Sequence, residues 1–455
     1  MACCRDFTRT ELMRHAAAEA GRGLPAIEPG MPAPAGTGLS RRSFLARGAG
    51  LALAVYGANR IGLPAFQEGV AGAAGSTDRV LVSIFMAGGC DSMSVLAPVG
   101  DTRYAQLRPT LALDAGAGSA FSEDSRLRWH PAAAGLSTLH GEGKVTVFPA
   151  IGYDHPDQSH FTSRHFWEVG ALDTGARYGW LGRYLDAVGA DDNPLQGLSL
   201  DGELSPSLAA RRVPVAAVES PEDYRFWVPG VGDPIEDRML EAFGDLGRLP
   251  TSDPVLGGAR KVATEVDALR RSLAPFATPD GEPNYQSPVP YPDGDFAQRL
   301  AALAAMLAAG LPLRCVTIEA PGGYDTHSNQ ADDLPRDLGD TSAAILAFQR
   351  DLEARGLQER VLTTLWSEFG RRPEENGSGT DHGAAGAAFV IGSKAKGQMV
   401  GEFPGLATLD ADDNLRSTSD FRALYCGLLE QWLGHDAADV IPGASAFTRP
   451  TLLKS

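Results

Sequence analysis

Asp325 and His327 stand two residues apart in GGYDTHSNQ (322–330), directly behind the apolar run CVTIEA. A turn that only reverses the chain needs neither a carboxylate nor an imidazole; a metal or acid–base centre needs both. The pattern recurs along the chain. Asp91 and Ser92 follow RVLVSIFMAGG, and Asp154, His155, Asp157, Ser159 and His160 follow KVTVFPAIGY. Glu368 and Arg371 close RVLTTLWSEFGR, and Asp381 and His382 precede AAFVIG. Crowding such carboxylates without a cation drives their pKa values up through like-charge repulsion. A divalent ion removes that cost and accepts mixed oxygen and nitrogen donors. Asp91, Asp325, His327, Asp381 and His382, with Glu368 and His160 nearby, are therefore the candidate ligands of one or two divalent ions. Zn is the first choice, with Ca, Mg or Mn as alternatives.

Each residue also has a plainer role open to it. Asp91 suits the cap of a following helix. Asp325 suits an Asx turn, with His327 at the surface. Asp381 and His382 suit a hydrogen-bonded loop pair, and His160 suits packing at a helix start. His130, His140, His165 and His435 lack a comparable setting and read as structural. For a nucleophile, Ser159 opens the segment HFTSRHFWEVG, where a helix N-terminus would favour an anion; it is equally a good N-cap. Ser92 is the second candidate, and Arg371 is the candidate for gripping an anion with two parallel hydrogen bonds.

These loops must be positioned by the elements between them. RVLVSIF, KVTVFPAIG, LPLRCVTIEA, RVLTTLW and AAFVIG read as short buried strands. DFAQRLAALAAMLAAG (295–310), TSAAILAFQRDLEARG (341–356) and SDFRALYCGLLEQWLG (419–434) carry apolar stripes at helical spacing. Alternating buried strands and amphipathic helices predict an α/β protein: a three-layer α/β/α sandwich around a mostly parallel sheet. Ligands then gather at the carboxyl ends of the strands. Residues 190–293 are richer in Pro, Asp and Gly and read as a loop-rich cap or insertion. Trp167, Trp180 and Trp227, with the Tyr/Pro-rich part of that segment, allow a glycan-binding reading, although such aromatics are ordinary core residues.

The chain has 455 residues, 43% of them apolar, and a formal charge of −17. That balance argues against nucleic acid or an anionic membrane surface as partner. Cys90, Cys315 and Cys426 are too scattered for a disulfide framework or a zinc finger. Near the N-terminus, LSRRSFLARGAGLALAVYGANRIGLPAF sets Arg41 and Arg42 before a modest apolar stretch that Arg60 interrupts. This resembles a twin-arginine export signal and is too short and broken for a stable membrane span. It implies a leader over 1–75, the twin-arginine translocase as a partner during export, and a periplasmic or extracellular destination. One domain over 76–455 remains.

The set MAGGCDS, QSHF, GGYDTHSNQ, WSEFGRRPEENGSGTDHG and VIG, behind such a leader, resembles an uncharacterised bacterial family, domain of unknown function 1501. That family is similar to the alkaline phosphatase and sulfatase superfamily. The resemblance implies an alkaline-phosphatase-like fold and a metal-dependent hydrolase acting on phosphate or sulfate esters, either small anionic esters or a decorated polymer. Asp91, Ser159, Asp325 with His327, and Asp381 with His382 match the superfamily's positions in order. The Asp325–His327 spacing is shorter than usual, the late third histidine has no counterpart, and the sulfatase signature is absent. The alternative is a non-catalytic exported protein of the same fold, with a structural or vestigial metal site, serving envelope or extracellular assembly or glycan binding.

Overall fold

The structure, a computed structural model, describes residues 79–222, 224, 233–278 and 281–454. The leader expected over 1–75 and Trp227 lie outside the described residues.

Ten strands matter for the site: β1 (Val80–Phe85), β2 (Val145–Gly152), β3 (Gly197–Ser199), β4 (Ala216–Ala217), β5 (Cys315–Glu319), β6 (Val361–Trp366), β7 (Arg371–Glu375), β8 (Thr380–His382), β9 (Gly386–Ile391) and β10 (Ser419–Asp420). Eight of them form the central sheet, in the order β10-β2-β9-β6-β1-β5-β3-β4. Every pairing in it is parallel except those of β9, which runs against both β2 and β6. β7 and β8 form a separate antiparallel ribbon with Arg371 opposite His382. Besides short helical turns such as Ser92–Val95, the α-helices among the described residues are α1 (Ala134–Gly141), α2 (His160–Val169), α3 (Trp180–Val188), α4 (Asp233–Arg248), α5 (Pro254–Leu273), α6 (Asp295–Ala308), α7 (Gln330–Ala354) and α8 (Phe421–Gly427).

Alternation along the strands builds two cores. On β1, Val80, Val82 and Ile84 face one way, into a cluster with Leu300 and Leu303 of α6, Leu338 and Phe348 of α7, and Leu136 of α1. Leu81 and Phe85 face the other way, toward Trp167 of α2, Leu181 and Tyr184 of α3, and Phe421 of α8. Successive side chains of a strand point to opposite faces, so a strand with apolar residues on both demands cover on both. The result is the three-layer α/β/α sandwich that the sequence predicts, around a mostly parallel sheet. Trp167 stacks on Trp366 at 5.2 Å and on Phe421 at 4.6 Å, fixing α2 against the sheet. Trp167 and Trp180 are thus core residues rather than a glycan platform, since both are almost wholly buried.

Two features differ from the sequence reading. The segment 190–293 supplies two strands of the central sheet and two long helices, α4 and α5, packed on each other. Their alternation of apolar and charged residues is diluted by glycines such as Gly257 and Gly258, which mask helical periodicity. α7 also starts well before Thr341 and passes through Pro335. Pro335 is the sixth residue of the helix, past the first turn, so it removes the hydrogen bond to Ala331 O that another residue would make there, and the helix continues in spite of it. Cys90, Cys315 and Cys426 are buried free thiols. Among the described residues, no helix is long and apolar enough to cross a membrane.

Candidate metal centre

Three loops and one helix start meet at the carboxyl ends of β1, β5 and β6. The loop after β5 begins with Gly322 at φ +82°, where a Cβ would lie 2.1 Å from the Asp337 carboxyl carbon. This glycine is required by both conformation and space; Gly323 is not, since nothing lies near its open side. The turn then delivers Tyr324, whose N–H donates to Ala87 O at 2.9 Å, and next to it Asp325. Across from it, Gly88 approaches so closely that a Cβ would sit 2.4 Å from the Asp325 nitrogen.

Asp325 Oδ1 is the focus of the site. His327 Nε2 and His382 Nε2 each lie 3.2 Å from it, and His160 Nε2 lies 3.4 Å away. Arg371 Nη2 donates to the same oxygen at 2.6 Å. His160, Asp325 and His382 offer donor atoms within 4.8 Å of one another. His327 adds a fourth donor at one side, its Nε2 2.9 Å from His382 Nε2. All four ring or carboxylate side chains are partly exposed, between 19% and 35%.

The far nitrogen of each ring is held. His160 Nδ1 lies 2.8 Å from Glu368 Oε1, His327 Nδ1 lies 3.2 Å from Asp381 Oδ1, and His382 Nδ1 lies 2.8 Å from the Gln158 carbonyl oxygen. Acceptors on all three Nδ1 atoms favour the tautomer with the proton there and the lone pair on Nε2. This is the support that metal-ligating histidines typically receive. Two bare lone pairs 2.9 Å apart, on His327 and His382, repel unless a proton or cation lies between them. His160 Nε2 is buried without a hydrogen-bond partner, although the Asp325 carboxylate is near. The donor set therefore fits a divalent cation.

Surrounding groups hold this arrangement. Glu368 is 2% exposed and accepts from Gly88 N–H at 3.0 Å, Gly89 N–H at 3.0 Å and Ser367 Oγ at 2.9 Å. Burial alone would raise its pKa; the His160 contact and these donors reverse that and lower it. Burial also works against the charge on Asp325, but hydrogen bonds from His160, His382 and Arg371 hold its carboxyl far below the ordinary range. For His160, burial opposes the proton, yet the Asp325 and Glu368 contacts prevail and bring its pKa up to about 9. His327 goes the other way, lowered by burial and by the Arg371 charge. Phe369, buried, packs its ring 4.9 Å from both His160 and His382.

The structure brings His160, Asp325, His327, His382, Glu368 and Asp381 together, with Glu368 and Asp381 behind the rings rather than at the focus. It does not bring Asp91 there, and this corrects the expectation of a ligand at that position. Asp91 is fully buried, with Oδ1 accepting from Arg108 Nη2 at 3.0 Å and Oδ2 from Ser94 Oγ at 2.6 Å. It also caps the short helix that follows. Both oxygens are committed, which leaves no lone pair facing a cation. Arg371 is likewise corrected. Its guanidinium is 0% exposed and donates to Gly89 O, Gly88 O, Thr380 O, Tyr324 O and Asp325, so it is enclosed by the protein and does not face a substrate anion. Ser92 is 4% exposed in that same helix, its Oγ buried without a hydrogen-bond partner. Ser159 is the N-cap of α2, accepting from Thr162 N–H at a long 3.5 Å, immediately before His160.

Two supporting residues escaped the sequence reading. Arg108 bridges Asp91 to the backbone of the ribbon, donating to Arg372 O and Pro373 O at 2.9 Å each. Asn376 Nδ2 donates to Asp381 Oδ1 at 3.0 Å and to His327 O at 3.1 Å. Asn376 lies in the motif segment ENGSGTDHG, but an Asn in a turn carries no distinguishing mark; Arg108 had none at all.

Among solved structures, the chain is similar to the C-terminal periplasmic domain of EcEptC from Escherichia coli, at 10% identity and a TM-score of 0.35, covering 81% of this chain and 88% of that one. It is similar to the phosphonate monoester hydrolase SpPMH from Silicibacter pomeroyi, at 11% identity and a TM-score of 0.32, covering 80% and 75%. It is also similar to PsFucS1 sulfatase from Pseudoalteromonas sp., at 10% identity and a TM-score of 0.30, covering 86% and 72%. These likenesses are distant, and none bears on what the centre does. No functionally curated protein matches in sequence. In sequence, a family model matches across residues 150–430, more than half of the chain, from β2 to the helix behind β10, and so including every residue at the focus but not Asp91. By that match the chain belongs to the family described as "Protein of unknown function (DUF1501)".

Proposed function

We propose that the chain is an exported, metal-dependent hydrolase of phosphate or sulfate esters. The observation that carries this reading is the convergence of three imidazole Nε2 atoms on the Asp325 carboxylate, each ring anchored from behind. His160, Asp325 and His382 would hold a divalent ion, with His327 at its side. An imidazole-rich set favours Zn over Ca or Mg. Such an ion supplies Lewis-acid polarisation of the ester oxygens and lowers the barrier to attack.

The chain's own residues do the rest. Arg371 fixes the orientation of Asp325, and Glu368 fixes the ring plane of His160. Ser159 stands at the start of α2, beside the centre, with a hydroxyl only loosely engaged in capping. It is the proposed nucleophile: its oxygen would form the new bond to phosphorus or sulfur as the bond to the ester oxygen breaks, and its proton would pass to the departing alkoxide, which leaves as the alcohol. Water would then release the acid and restore the hydroxyl.

One feature favours a second reading. If His327 joins the other three donors, four protein ligands surround the ion, the pattern of a closed structural zinc site. The protein would then keep the fold and the metal without turnover. Metal analysis of the purified protein, with a panel of aryl phosphate monoesters, diesters and sulfates, separates the two. We expect about one divalent ion per chain and turnover of at least one ester class that is lost in Asp325→Asn while the fold persists by circular dichroism. A firmly bound ion with no turnover on the whole panel, in wild type and in His327→Ala alike, establishes the non-catalytic reading.

A further inference from the structure

A second polar feature lies on the same rim. A cavity of about 360 Å³ opens between α2 and the carboxyl ends of β1, β3 and β5. That volume falls at the lower end of the range for small-ligand sites. Its floor is the face of the sheet carrying Ser83, Phe85, Thr317 and Trp366. One wall is α2 itself, through Arg164, which lies one helical turn beyond His160 and so on the same helix face. The cavity is thus adjacent to the metal centre along α2, about 6 Å further on by helix geometry.

The lining is charged but unbalanced. Among the described residues, Glu168, Asp201, Glu203 and Glu319 supply four carboxylates, against two guanidiniums, Arg164 and Arg299. Arg164 is engaged by Glu168 at 2.8 Å and Glu319 at 3.5 Å, and Arg299 by Asp201 at 3.0 Å. Arg299 keeps its Nε buried without a hydrogen-bond partner, an unmet donor that a hydroxyl oxygen could meet; with four carboxylates to two guanidiniums, the described lining carries more negative than positive charge and disfavours a second anion. The floor carries an unmet group as well: Thr317 is 4% exposed, and its Oγ1 has no hydrogen-bond partner. A buried hydroxyl left without a partner is costly, and this one lines the cavity. Burial also raises the pKa of Asp201, outweighing the hydrogen bonds it accepts from Glu319 N–H and Arg299 Nη1.

We propose that this cavity is a subsite for the alcohol part of the ester, and that it takes a group rich in hydrogen-bond donors, hydroxyl or ammonium, while excluding a second anion. Naming the occupant as the leaving alcohol rests on the hydrolase reading; binding of the group itself does not. The substrate class is then an anionic ester of a sugar or amino sugar whose only anionic group is the one that reacts.

The test is calorimetric titration of the full mature chain, metal-free and metal-loaded, with the matched series glucosamine, glucose and glucuronate at mildly acidic pH. Glucosamine should bind most tightly and glucuronate at least tenfold more weakly, in both metal states. Thr317→Val should weaken glucosamine binding three- to tenfold, and Asp201→Asn should weaken it further. Should Asp201→Asn unfold, the near-isosteric Thr317→Val decides alone. The proposal is overturned if no member of the series binds, if glucuronate binds as well as glucosamine, or if Thr317→Val leaves affinity unchanged. Sugar binding by a protein that turns over no ester leaves the subsite standing and removes the hydrolase; turnover of esters without sugar binding does the reverse.

Discussion

Glu368 never meets the focus of the site, yet its carboxylate decides how His160 presents its free nitrogen. Removing that charge while keeping the shape should loosen ion capture without disturbing the core. We expect Glu368→Gln to lower metal affinity ten- to a hundredfold, in line with the usual effect of losing such support. Competition with a chromophoric chelator measures it, and an unchanged affinity would show that Glu368 has no hold on the ligand. Arg108 presents the converse case, a charge whose loss is felt as stability. With Arg108→Met the buried Asp91 carboxylate loses its partner, which costs about 3–5 kcal/mol when one member of a buried pair is removed. Denaturant unfolding should register that loss. Asp91 and Arg108 are both 0% exposed, so solvent does little to soften it.

At the scale of elements, the start of α2 carries two roles that one substitution can separate. If Ser159 only caps, Ser159→Ala costs about 0.5–2 kcal/mol in stability and leaves any ester turnover within a few fold of wild type. If it is the nucleophile, turnover falls by three orders of magnitude or more at about the same stability cost. Thermal melting and steady-state kinetics on the same preparation distinguish the outcomes. Much of the element layout was legible in the sequence, because strands such as VLVSIF and VLTTLW carry apolar residues on both alternations and so announce burial on both faces. What was hidden is directional. Nothing in GAAFVI marks it as the strand that runs backwards. The same limit explains Asp91: an acidic residue behind a strand is equally suited to a cation or to a cap, and only the position of Arg108, seventeen residues on, decides between them. His327 and His382 were readable as a pair of imidazoles near carboxylates, whereas the tautomers set by Gln158 O and Asp381 depend on contacts across the fold.

For the whole molecule, pH should act differently on the metal-free and metal-loaded forms. In the metal-free chain His160 is raised from 6.5 to about 9, so its protonated form favours the folded state. That contribution is fully present below pH 6.5 and is lost as pH rises through about 9. The melting temperature of chelator-treated protein should therefore fall across this window, and His160→Gln should abolish that fall. The metal-loaded protein, whose His160 is occupied by the ion, should lack it. Export belongs to the same scale: with Arg41 and Arg42 both replaced by Lys, the precursor should stay in the cytoplasm, read by cell fractionation, if the leader is a twin-arginine signal.

The reversed strand has a consequence for when a cation can be captured. Since β9 runs opposite to its neighbours, it is the entry to that strand, not its exit, that opens onto the rim, and Asp381 and His382 reach His160 from more than two hundred residues downstream. A growing chain has no coordinating set until residue 382 has emerged and the sheet has closed around it. Ion loading must then come last in maturation, on a scaffold already formed, and withdrawing the ion should return the protein to that scaffold rather than to an unfolded coil.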